Sequence, residues 1–148
     1  MKYINNYLTN KSFVNHLPNV VTSTNKIVME TDSGATPTYL KKEHAKFLQN
    51  LQILQNGPKA VLPNNTTIAA SAQGDLPLHP CLTPKALIYP HLKSESLLSI
   101  GQLCDDGCTS VFDKEKLNIY KQKKLILKGN RNKQDSLWDV PFPVLKAN

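Results

Sequence analysis

The chain reads as all-β, and three observations carry that reading. From Lys59 onward, short apolar and β-branched runs follow one another at roughly 8–12-residue spacing, with turn residues between them. The ten prolines fall mostly between those runs rather than inside them. Only two short stretches carry a helical period. A barrel and a sandwich satisfy this pattern equally well.

Residues 1–25 are punctuated by Asn5, Asn6, Asn10, Asn15, Asn19 and Asn25 and hold little periodicity. They read as a poorly ordered leader, with the compact domain expected over 26–142 and a tail over 143–148. Lys26 to Thr31 reads as a buried strand running into Asp32-Ser33-Gly34-Ala35-Thr36. Leu40, His44, Phe47, Leu48 and Leu51 share one face at a helical period, which predicts an amphipathic helix ended by Asn56-Gly57-Pro58. On that face His44 is expected to be a packed structural residue.

Lys59 to Leu62 and Thr66 to Ala72 flank Pro63-Asn64-Asn65, the composition of a hairpin. Gly74 reads as an interruption, after which Asp75 to Leu78 continues extended. Further strands are expected at Lys85–Tyr89, Ser96–Ile100, Thr109–Phe112, Leu117–Tyr120, Leu125–Leu127 and Leu137–Val140. Ile100 to Asp105 reads as a helical turn or two, and Lys128-Gly129-Asn130 as a turn. Trp138 is expected to fill the core or an edge, and His79 and His91, beside prolines, to lie in exposed loops.

The 148 residues suit one domain, and 40% hydrophobic content suits a modest core. The formal charge of +7 comes from dispersed lysines, and Arg131 is the single arginine. Fork-like recognition of phosphates and base edges favours arginine, so the charge reads as a solvated surface. Nucleic acid is expected to be attracted only weakly and non-specifically. Cys81, Cys104 and Cys108 cannot all pair within one chain, and no secretory or membrane-spanning run is seen. A reducing, cytoplasmic compartment and no membrane partner are therefore expected. Cys104 and Cys108 have the spacing of half a zinc site, but no second Cys/His pair lies near them. No metal is expected, and the thiols are read as buried or half-buried.

Asp32-Ser33-Gly34 suits hydrolytic chemistry. A carboxylate at a strand end holds a water, the hydroxyl bonds nearby backbone, and glycine turns the chain without blocking the site. By itself the triplet is ordinary turn material. Its company is more specific: L-P-N-N-T-T-I (62–68), A-Q-G-D-L-P-L (72–78), A-L-I-Y-P-H-L (86–92), L-L-S-I-G-Q-L-C-D-D-G-C (97–108), V-F-D-K (111–114) and L-W-D-V-P (137–141) follow in that order. Over residues 27–141 the set resembles the protease region of copia-type retrotransposon Pol polyproteins.

That resemblance implies a retropepsin-like closed β-barrel with one or two short helices. It also implies an aspartic endopeptidase that cuts its own polyprotein. Asp32 would be the catalytic aspartate, Ser33 would brace the two active-site loops, and Gly34, Ala35 and Thr36 would complete the loop. Pro63, Asn64, Asn65 and Thr66 would form the flap over the peptide substrate, while Ser99, Ile100 and Gly101 would pack behind the loop. The chain departs from the family in three places. Asn64-Asn65 stands where an Asp-Gly turn is frequent, Glu30 and Thr31 are polar where the strand end is usually apolar, and no Cys/His zinc knuckle lies upstream.

Peptide hydrolysis by carboxylates uses two of them, one ionised to activate water and one protonated to donate to the carbonyl. Asp75, Asp105, Asp106, Asp113, Asp135 and Asp139 lack the following hydroxyl-glycine pair. The lone D-S-G therefore predicts a homodimer with one Asp32 from each copy. Water is the nucleophile, so no cofactor is expected. The alternative is a catalytically inactive, retroelement-derived β-barrel fragment kept as an interaction module, which both chain ends would fit. A basic nucleic-acid-binding barrel is a third reading, resting on charge alone, and it predicts binding that weakens steeply with salt.

Overall fold

The computed structural model describes residues 27–143, so the expected leader and nearly all of the expected tail lie outside the described residues. The twelve strands are β1 Val28–Asp32, β2 Thr38–Leu40, β3 Gln49–Ile53, β4 Lys59–Val61, β5 Thr67–Ala69 and β6 Ala72–Asp75, then β7 Lys85–Ile88, β8 Leu97–Ser99, β9 Cys108–Phe112, β10 Lys116–Lys121, β11 Lys124–Arg131 and β12 Trp138–Pro141. Among the described residues the helical content is a 3-10 segment at Lys42–Phe47 and one short helix, α1, at Ile100–Asp105. The all-β expectation holds for the described residues.

Ten strands form one sheet in the order β3-β6-β7-β2-β8-β1-β12-β11-β10-β9, and β4 with β5 makes a separate hairpin. The end strands β3 and β9 do not pair, so the hydrogen-bonded ladder stays open. Two pairings are parallel: β1 with β8, Asp32 opposite Ser99, and β2 with β7. Because β8 lies between β1 and β2, residues 33–37 must cross the end of β8. Asp32 is thereby the last paired residue of β1, at the point where the chain leaves the sheet.

One main core lies against the large sheet. Met29, Leu40, Leu98, Leu103, Leu117, Ile119 and Val140 are wholly buried there, and Phe47 stacks on Phe142 at 4.5 Å. Each such side chain contributes about 1.5–3 kcal/mol of burial. A smaller cluster of Ile68, Ala70, Leu87 and Tyr89 sits beneath the β4–β5 hairpin and carries it over the sheet.

Several local expectations are corrected. The helix expected from Leu40 to Leu51 is a strand, a single 3-10 segment and a second strand. Leu40, His44 and Phe47 do bury, but Leu51 is 49% exposed, because Gln49–Ile53 is taken up in pairing with β6. Gly74 is no interruption: it lies inside β6, where an added Cβ would stand 2.9 Å from the Gln49 carbonyl oxygen. Lys128-Gly129-Asn130 is no turn either, since β11 runs through it. Gly129 lets the Asp139 backbone approach; the chain reverses ahead of β11 at Gln122 and Lys123, both at positive φ, and again beyond Arg131. Ile100 opens α1 rather than closing a strand, and Cys81 and Cys104 are exposed, leaving Cys108 as the buried thiol. Among the described residues no helix is long and apolar enough to cross a membrane.

Candidate functional site

The site is built where the crossing loop meets the hairpin. Gly34 N–H donates to Asp32 Oδ1 at 2.7 Å, an Asx-type turn that aims the carboxylate away from its own strand. Thr36–Pro37 is cis. Beneath the loop, Ser99 Oγ donates to the Ala35 carbonyl at 2.6 Å and accepts from Gln102 N at 3.0 Å. The same hydroxyl therefore caps α1 and ties down the loop.

The frame extends to Thr38, the first residue of β2. Its Oγ1 donates to Gln102 Oε1 at 2.8 Å and accepts from Ser99 N at 3.1 Å, and its own N–H also reaches Gln102 Oε1. Gln102 Nε2 then donates to the Lys85 carbonyl at 2.7 Å. Ser99 and Thr38 are fully buried, yet both hydroxyls are satisfied. Loop, helix and the β2–β7 ladder are thus joined by one polar network.

Above Asp32 the hairpin turns at Pro63-Asn64-Asn65. Asn65 N–H donates to the Leu62 carbonyl, Leu62 N–H to the Thr66 carbonyl, and Asn64 Oδ1 accepts from Thr66 N and Oγ1. Asn65 takes φ 66°, a left-handed conformation that asparagine tolerates. A cleft of about 750 Å³ lies between hairpin and sheet, within the usual range for ligand sites. Its apolar lining comes from Val61, Leu62, Ile68, Tyr89, Leu92 and Leu97, with Tyr39 set edge-on to Tyr89 at 5.1 Å. Among the described residues, Asp32 is the one carboxylate in the lining, and Lys59 and Lys93 are its cations.

Of the residues singled out in the sequence, Asp32, Pro63 and Asn64 meet in this cleft. Asn65 and Thr66 shape the hairpin tip without lining it. Ser33, Gly34 and Thr36 are exposed on the loop, while Ala35 is buried beneath it. Ile100 is buried in the main core, and Gly101 is half-buried at the start of α1. Thr38, Gln102, Tyr39, Tyr89, Lys59 and Lys93 were not anticipated. Gln102 carried a signal: a buried-strand serine followed three residues later by glutamine at a helix start reads as a capping pair.

His44 is a packed residue, as expected. Its Nδ1 lies 2.6 Å from Ser96 Oγ, and burial with the Lys41 charge lowers its pKa to about 4. Trp138 is an edge filler: it meets Phe112 edge-on at 5.1 Å, carries Arg131 over its ring at 4.5 Å, and donates to the Asp113 carbonyl. His79 Nδ1 accepts from Cys81 N–H in a tight loop at 3.1 Å. Among the described residues no group of three or more His, Cys, Asp or Glu side chains is placed to hold a metal ion. No protein-family model, curated protein or solved structure matches the chain.

Proposed function

We propose that the chain is the aspartic endopeptidase domain of a copia-type retrotransposon Pol polyprotein, built on a retropepsin-like barrel and active as a homodimer. One observation carries the reading: Asp32, on a braced D-S-G loop, opens under a β-hairpin into an apolar cleft. The barrel reading rests on the ladder around Asp32 rather than on closure, since β3 and β9 do not pair.

The chemistry needs a second carboxylate, and the described residues of the cleft lining offer one only. A second copy supplies it as Asp32 across a two-fold axis. Like charges about 3 Å apart do not both ionise, so one aspartate takes a proton from water while the other donates to the scissile carbonyl. Ser33, exposed on each loop, is free to bond the opposing loop. The substrate is an extended polyprotein segment held by strand-type hydrogen bonds, its bulky apolar side chains against Ile68, Tyr89 and Leu97. Lys59 and Lys93 suit acidic residues beside that apolar anchor. Two exposed free thiols, Cys81 and Cys104, fit a reducing, cytoplasmic compartment.

The test is proteolysis of a mixed peptide library from about pH 4 to pH 7, beside Asp32→Asn, which removes the ionisable group with little change of shape. Cleavage by the parent chain alone is expected. A folded parent that cuts nothing at high micromolar concentration would overturn the reading in favour of a non-catalytic interaction module.

A further inference from the structure

Strand β1 has two neighbours, and among the described residues its buried carboxyl opposite β12 keeps an oxygen without a partner. Glu30 stands directly opposite Asp139 of β12. Both residues are 2% exposed. Among the described residues Glu30 Oε1 and Asp139 Oδ1 are buried without a hydrogen-bond partner, while Asp139 Oδ2 accepts from Asn132 Nδ2 at 3.3 Å. Directly opposed residues of an antiparallel pair bring their Cβ atoms within about 4.5–5.5 Å.

The surroundings offer little relief. Asp135, ahead of β12, and Glu95, ahead of β8, both face the pair, and Asp32 lies two residues along β1. Among the described residues, Lys41 is held 3.5 Å from Glu95. Two ionised carboxylates opposed in such a place are strongly unfavourable. One bound proton turns one of them into a donor and the other into its acceptor.

We propose that Glu30 and Asp139 form a proton-binding pair that clamps β12 to β1 and so positions Asp32. Loss of the proton to solvent leaves two opposed carboxylates and loosens the β1–β12 ladder. Burial first, and neighbouring acids such as Asp135 second, push both groups up to about 7. The unfolded values are 4.5 and 3.8, so the folded chain holds extra protons between those values and about 7. The stabilisation is complete below the unfolded values and is lost as pH rises through about 7. The clamp stands without the protease reading; only its effect on cleavage rests on it.

Trp138, the single tryptophan, reports on the clamp because it adjoins Asp139 and its carbonyl accepts from Thr31 Oγ1 at 2.9 Å. The experiment follows tryptophan emission and thermal unfolding of the full chain from pH 5 to pH 9. The parent is expected to show an emission shift centred near pH 7 and a melting temperature that falls by about 5–10 °C over the range. Glu30→Gln, whose amide donates to Asp139, and separately Asp139→Asn, should shrink both changes at least threefold and raise the melting temperature at pH 8. A flat parent profile would overturn the proposal, as would an unchanged midpoint in the variant that folds. A rise in melting temperature at pH 8 on adding calcium or magnesium would equally overturn it, by making the pair a cation site. If the chain cuts peptides, Glu30→Gln should also move the alkaline limb of cleavage upward. An emission shift without any cleavage would sink the protease reading and leave the clamp intact.

Discussion

The two flanks of β1 are built on opposite principles. Toward β8, Ser99, Thr38 and Gln102 are joined by hydrogen bonds that leave none of their buried hydroxyl oxygens without a partner. Toward β12, two buried carboxyl groups stand opposite one another, and each keeps an oxygen with no donor among the described residues. The first arrangement contains no ionisable group and holds the Asp32 loop at any pH. The second holds it conditionally. A site carried between an unconditional brace and a conditional clamp acquires a pH limit from its frame, independent of its own chemistry.

The largest effect is expected on the unconditional side. Ser99→Ala removes the bond to the Ala35 carbonyl and the cap of α1 together, leaving a buried acceptor and an amide donor unpaired. A loss of roughly 2–3 kcal/mol is expected. Chemical denaturation at pH 5 and at pH 8 should give the same loss. A loss confined to one pH would erase the distinction between the two flanks.

A smaller effect sharpens the comparison by changing a sign. His44, packed against Ser96 on the β8 side, has its pKa lowered from 6.5 to about 4 by burial. A depressed histidine contributes stability above its unfolded value and loses it as pH falls from 6.5 toward 4. In the parent chain, the raised carboxyls of Glu30 and Asp139, with Glu95 also raised by burial, oppose that trend and outnumber it. With Glu30→Gln and Asp139→Asn combined, melting temperature should therefore rise from pH 4 to 6.5 instead of falling. A falling profile in the double variant would place the titration elsewhere.

The same contrast explains what was legible in the sequence. The strands near Asp32 could be read because their apolar runs are bounded by turn residues, and Asn64-Asn65 announces its own reversal. The α1 start had a signal in Ser99 and Gln102, although Ile100 taken locally reads as the end of the preceding strand. Misreadings came where tertiary pairing outweighed local pattern. Leu48 and Leu51 fit a helical face, but β6 needed a partner, and the 3-10 segment ends so that β3 can supply one. Gly74 and Gly129 looked like breaks because a chain read alone cannot show that another backbone passes close to a glycine. Glu30 was visible as a polar residue in an apolar strand. Its meaning required Asp139, more than a hundred residues away in the chain and opposite it in the sheet.

The most direct test of the two-copy site mixes parent chain with Asp32→Asn at constant total concentration, after subunit exchange, and follows peptide cleavage against the parent fraction. A dyad with one aspartate from each copy predicts activity falling as the square of that fraction. A linear fall would mean that each chain cuts alone, and would contradict the shared site.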